Sequence, residues 1–130
     1  MIFAKENTMH NTNLYRYVYF IQGETTKRIK IGIAWNPKQR IIELQAGSPD
    51  RLSLLLTLRT VNSADDERHL HHQFKDFRLH GEWFEAAPEI LQFVTEQNIR
   101  LANLQPNQKP ELPAPTRASV KPAKAKERMK

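Results

Sequence analysis

The hydrophobic period changes along the chain, and each change marks an element. Tyr17-Val18-Tyr19-Phe20-Ile21 and Lys30-Ile31-Gly32 are rich in β-branched or aromatic side chains, which favours strands. Residues 22–28 between them are polar and include Gly23, so they read as the loop of a hairpin. Asn36-Pro37 then supplies an N-cap and a proline at the first helical position. Ile41 and Leu44 recur three apart, as an amphipathic helix requires, and the helix ends near Ala46-Gly47. After a Ser48-Pro49-Asp50 turn, alternation at Leu52, Leu54, Leu56 and Leu58 makes residues 51–59 a third strand despite leucine's helical leaning.

In the second half, Ser63 or Asn62 can cap a helix whose first turns carry Asp65, Asp66 and Glu67, where the macrodipole favours acids. Leu70, Phe74 and Phe77 should face the core, and Glu67 and His71, four apart, share one side at the edge of that stripe. His80-Gly81-Glu82-Trp83-Phe84 reads as an aromatic-rich turn, with Trp83 and Phe84 as core residues. Pro88 opens a third helix with Ile90, Leu91, Val94 and Ile99 as its packing face. The expected fold is α/β (α+β): a small three-stranded antiparallel sheet, N-terminal hairpin first, packed against about three helices.

Composition narrows the function classes. The 130 residues suffice for one domain, divided as a flexible lead-in over 1–13, a folded domain over 14–104 and a disordered basic tail over 105–130. That tail is rich in Pro, Ala and Lys and cannot bury enough surface to offset its ordering entropy. The absence of cysteine removes disulfides and thiolate zinc sites. The longest apolar run, residues 52–58, is interrupted by Ser53 and Thr57, so no membrane span is expected. With no signal-peptide pattern at the N-terminus, a soluble cytoplasmic protein is the default. Of the net charge of +6, residues 105–130 contribute seven basic and two acidic groups, leaving thirteen and twelve in the body. The charge therefore belongs to the tail, where it adds non-specific, salt-dependent attraction to nucleic acid, and the body is nearly neutral.

The two strand tracts carry a resemblance. Tyr17-Val18-Tyr19-Phe20-Ile21 and Lys30-Ile31-Gly32, followed by Asn36, Pro37 and Arg40, resemble the front half of the GIY-YIG nuclease superfamily, in the branch with a K-I-G second motif. Ala64, Glu67 and Leu70 stand where that superfamily places its helical glutamate, and His71 and Gly81-Glu82-Trp83-Phe84 match the branch's histidine and G-E-W-F turn. The likeness covers residues 15–95. The chain departs from many members at Ala34, where Thr or Ser is common, and from some at Leu44, where a histidine stands.

The resemblance implies a metal-dependent DNA endonuclease. Phosphodiester hydrolysis needs an activated water, a metal anchor and a cation at the scissile phosphate. It places a single Mg²⁺ or Mn²⁺ on Glu67, a hard oxygen donor suited to an ion that keeps several waters. Tyr19 would position or deprotonate the water, Arg40 would pair with a phosphate oxygen, Lys30 would lower the Tyr19 pKa or bind phosphate, and His71 would assist. The implied partner is duplex or branched DNA, with a recruiting protein to choose the target. No small-molecule cofactor and no membrane are implied.

Taken singly, each residue has a plainer explanation: Tyr19 as strand packing, Arg40 as a surface charge, Glu67 as a helix N-terminal acid. His69, His71, His72 and His80 suggest zinc only at first sight, since no cysteine supports them and His69 and His72 point away from Glu67. Glu82 is a rival metal ligand, but beside two aromatics it reads better as a turn-fixing carboxylate. Two other function classes stay open: a nucleic-acid-binding module of the same fold with weakened catalysis, and a protein-interaction domain whose tail recruits a partner.

Overall fold

β1 (Tyr17–Gly23) pairs antiparallel with β2 (Ile29–Ala34) on one side and with β3 (Leu52–Arg59) on the other. In the computed structural model, which describes residues 15–107 and 110–112, this central strand is buried along most of its length. Its alternate side chains point to opposite faces. Val18 and Phe20 join Ile29, Ile31, Leu56 and Leu58 on the core side. The other face, with Tyr17, Tyr19 and Ile21, belongs to the helix that follows β2.

That helix, α1 (Pro37–Ala46), begins as the sequence requires: the Asn36 side chain accepts from the Gln39 N–H and Pro37 takes the first helical position. It lies against β1, β2 and β3. Gln45 ties its end to the start of β3, donating to the Asp50 carbonyl at 2.8 Å and accepting from the Leu52 N–H at 2.8 Å. The opposite face is covered by α2 (Ser63–Gln73) and α3 (Pro88–Ala102), which contribute Leu70, Ile90 and Val94 to the core. Asn62 is the cap of α2, accepting from the Asp65 N–H.

Several expectations change. The three expected strands are present, but the sheet has five, in the order β3-β1-β2-β5-β4. The aromatic-rich turn is flanked by β4 (Arg78–His80) and β5 (Trp83–Phe84), and β5 pairs with β2 only at Ile29 and Lys30. Elements this short show no period in a sequence. α2 stops at Gln73, with Phe74 as its C-cap, and a 3₁₀ turn (Lys75–Phe77) brings Phe77 to the core edge. On α3, Leu91 and Ile99 are exposed, whereas Phe93 and Leu101 pack beside Ile90 and Val94. The i, i+3, i+4 stripe thus runs through Ile90, Phe93 and Val94, and Phe93 meets Phe20 and Phe74 at 5.6 Å centroid separations. Trp83 is half-buried rather than core.

The expected lead-in over 1–13 and most of the expected tail lie outside the described residues. Part of that tail is docked: Pro110 and Leu112 bracket Arg59 with backbone hydrogen bonds of 3.0 and 2.9 Å, and the Glu111 carboxylate meets Arg59 at 3.1 Å. This segment covers the outer edge of β3 at Arg59. No helix among the described residues is long and apolar enough to cross a membrane.

The hairpin loop is held from outside. Asp50 accepts from the Thr25 N–H at 2.9 Å and the Thr26 N–H at 3.1 Å, and Gly23 leaves room for its carboxylate. These backbone donors hold the Asp50 carboxyl below its ordinary range. A depressed folded-state pKa contributes stability above the unfolded value, and that contribution is lost as pH falls through the folded one. Asp50→Asn should therefore lower the Tm at neutral pH, and the gap to the wild type should close as the pH is taken down through the carboxylate range. Thermal unfolding between pH 7 and pH 3 measures both.

Candidate active site

The site forms where β2 loses its neighbour. Beyond Lys30 the β5 strand turns away, and the backbone of Ile31 is met instead by single groups: its N–H donates to the Glu82 carbonyl at 3.0 Å, and its carbonyl lies 3.0 Å from His71 Nε2. Gly32 is the next residue, opposite Tyr19 in the β1–β2 register. A Cβ on Gly32 would sit 2.5 Å from the Tyr19 hydroxyl and 2.9 Å from Glu82 Oε1. The missing side chain thus admits the phenol and the carboxylate to the two sides of a methyl-sized space.

Four elements converge on that space. β1 supplies Tyr19, 1% exposed, and β2 supplies Lys30. Arg40, from the first turns of α1, lies against the Tyr19 hydroxyl while also pairing with Glu43 at 3.2 Å. α2 supplies Glu67 and His71, with the carboxylate 3.9 Å from Nε2. Because the Ile31 carbonyl can only accept, Nε2 carries the proton in that contact. The His71 ring also stands edge-on to Phe84 at 5.1 Å, fixing its orientation. Tyr19, Lys30, Arg40, Glu67 and His71 are all brought together.

Their mutual arrangement corrects two sequence readings. Lys30 is not the cation at the phenol: its ammonium pairs with Glu82 at 3.0 Å and lies 5.6 Å from the centre of the Trp83 ring. Burial pushes the Tyr19 phenol above its ordinary value, and the Glu82 and Glu67 charges add to that, against the hydrogen bond from Arg40. Glu82, in turn, does more than fix its turn. Its carboxylate is within hydrogen-bond reach of Glu67.

The two carboxyls are driven apart by their surroundings. Burial, then the hydrogen bond and charge of Glu82, raise Glu67 to about 7, against the weaker opposing fields of Lys30 and Arg16. Burial works to raise Glu82 as well, but the hydrogen bond and charge of Lys30 outweigh it, helped by Glu67 and His71, and it lies below its ordinary range. The two carboxyls titrate as a coupled pair in which the proton favours Glu67. With Glu82 taken up by Lys30, Glu67 is a hard oxygen donor that no Lys or Arg pairs among the described residues, and it fits a divalent cation that retains most of its waters. No group of three His, Cys, Asp or Glu side chains suited to a metal ion occurs among the described residues.

Arg16 is the residue at the site that sequence reasoning missed, while Glu82, offered there as a rival metal ligand but read as fixing its turn, stands against Glu67. The matched G-E-W-F turn marked Glu82 but not its destination, which depends on β5 leaving β2 after Lys30. Arg16 carried no signal: it stacks on the exposed Trp35 ring at 4.9 Å, just past the paired ends of the hairpin, and its charge reaches Glu67.

The family model of the T5orf172 domain matches residues 15–100 of the chain, a span that includes every residue of the site. Neither the curated proteins nor the solved structures yielded a match.

Two outcomes are expected from this geometry. Gly32→Ala forces a methyl group between the phenol and the Glu82 carboxylate and should cost about 1–3 kcal/mol by thermal unfolding, in the range of overpacked cores. A carboxyl whose folded pKa is raised is more protonated folded than unfolded, so it makes stability fall as pH rises from its ordinary value through about 7. Glu67→Gln should flatten that slope in the metal-free protein, so that the variant gains Tm relative to the wild type at pH 8 compared with pH 5.

Proposed function

From the premise that the chain belongs to the T5orf172 domain family, within the GIY-YIG/HNH-like nuclease-associated group of domains, we propose that it is a metal-dependent DNA endonuclease of the branch marked by Lys30-Ile31-Gly32 and Gly81-Glu82-Trp83-Phe84. The family itself supports a nuclease-like or DNA-binding module. The observation that carries the finer reading is the convergence of Tyr19, Lys30, Arg40 and Glu67 from four elements on the space beside Gly32.

In this reading Glu67 would hold one Mg²⁺ or Mn²⁺, with Glu82 beside it as the partner of Lys30. Such an ion would supply charge neutralisation at the phosphate and would lower the pKa of bound water. Arg40 is the half-exposed cation best placed to meet a phosphate oxygen in a forked pair, and it does so by exchanging its present contacts with Tyr19 and Glu43. That exchange bares the Tyr19 hydroxyl, which then orients the attacking water by hydrogen bond. His71, anchored on the Ile31 carbonyl, stiffens the strand edge next to Gly32 and stands behind the acid. The target is duplex or branched DNA in the cytoplasm, chosen by DNA structure or by a recruiting protein.

A second reading, a DNA-binding module with weakened cleavage, is favoured by one specific feature: the site's lysine is already neutralised by Glu82 while burial raises the phenol. Incubation with supercoiled plasmid separates the two. The nuclease nicks in Mg²⁺ or Mn²⁺ and not in EDTA, and Glu67→Ala and Arg40→Ala each lower the rate by about 10²–10³-fold, the scale of losing one transition-state contact. Metal-independent retention of plasmid without nicking supports the binding module, and a protein that does neither supports an interaction domain.

A further inference from the structure

The turn that delivers Glu82 is built around one position. Gly81 has φ +56°, where a side chain would be strained, and the Glu82 carbonyl is pinned to β2 by the Ile31 N–H at 3.0 Å. From this anchored backbone the carboxylate takes the Lys30 ammonium at 3.0 Å, while the next residue sets its indole 5.6 Å from the same group. The Lys30 side chain is left only 13% exposed. The other side of the Glu82 carboxylate reaches Glu67.

We propose that Glu82 is a positioning residue that, with Trp83, holds the Lys30 ammonium off Glu67, so that the Glu67 carboxylate stays open to a divalent cation instead of closing into an internal ion pair. The proposal rests on Glu67 being the metal-binding acid. Lysine is a compact charge on a flexible four-carbon stem, and a largely buried ammonium deprived of its partner takes the next carboxylate within reach. Here that carboxylate is Glu67, which already feels the Lys30 charge. An ammonium seated on Glu67 would occupy its lone pairs and oppose a second cation. The lysine of the second motif is thus kept in the site while its charge is kept off the metal ligand.

The test is a double-mutant cycle on Mn²⁺ affinity, by calorimetry, with Glu82→Gln, Lys30→Met and the two combined. Glu82→Gln should weaken binding by about tenfold or more, the scale of losing a residue that orients a metal ligand. Lys30→Met should change the wild type by less than about threefold, yet restore about tenfold in the Glu82→Gln background, because only there does the lysine block Glu67. The same factor for Lys30→Met in both backgrounds, or unchanged affinity in Glu82→Gln, overturns the proposal. A metal-free readout separates it from the nuclease reading: nuclear Overhauser contacts between the Lys30 ε-methylene and the Trp83 ring should be replaced in Glu82→Gln by contacts to the Glu67 side chain. If the lysine moves in this way but no variant nor the wild type binds Mn²⁺, the clamp stands and the metal reading of Glu67 falls. If the lysine stays over Trp83, the clamp falls whatever the metal does. Should Glu82→Gln lack a dispersed amide spectrum, Glu82→Asp, which shortens the reach while keeping the charge, takes its place in the same measurements.

Discussion

The register of the first hairpin is the constraint on which the site depends, because it sets Tyr19 opposite Gly32. β1 is the middle strand of β3, β1 and β2 and has large side chains on both faces, so its register is strongly specified. A slip of one residue would send Tyr19 to the face of Val18 and Phe20 and bring a polar hydroxyl into the apolar core. Held where it is, the phenol crosses the strand at the one position without a side chain and arrives at the gap left by β5. Arg40 closes on it from one side and Glu82 from the other. The reach of every other group in the site is measured from that crossing.

Around it the charges are arranged unevenly. Lys30 and Glu82 form a tight pair, Arg40 is divided between Tyr19 and Glu43, and Glu67 is left, among the described residues, without a Lys or Arg partner, with only His71 Nε2 at 3.9 Å. Two acids of the same type in contact thereby acquire opposite tendencies, one to hold a proton and one to stay ionised. A partly buried acid raised in this way is a cost to the fold, and such costs gather at functional sites more than elsewhere. The proposed cation would relieve it by setting a positive charge beside the Glu67 carboxylate.

The division between local and long-range information runs through particular residues. The hairpin, α1 and β3 were legible because their signals are local: a polar loop with glycine, an Asn-Pro helix start, and leucines alternating at period two. The same is true of Glu67 and His71, whose four-residue spacing already put them on one side of a helix. By contrast, β4 and β5 are too short to carry a period, and the exposure of Leu91 and Ile99 follows from which stripe of α3 meets Phe20 and Phe74, a choice made by tertiary packing. The docking of Glu111 on Arg59, within a stretch of tail composition, likewise depends on an edge that exists only once the sheet is formed.

For the candidate site, the sequence named five of the residues that meet there: Tyr19, Lys30, Arg40, Glu67 and His71 stand at motif spacings that a short strand-loop-strand-helix unit and one later helix must respect. The folded chain alone decided the partnerships. Lys30 faces Glu82 and not Tyr19, and Arg40 attends the phenol, because β5 abandons β2 after Lys30 and α1 packs on the Tyr19 face. Spacing along a polymer limits which side chains can share an element. Which charges then neutralise one another is set by distances across the sheet, and those exist only when the strands are paired.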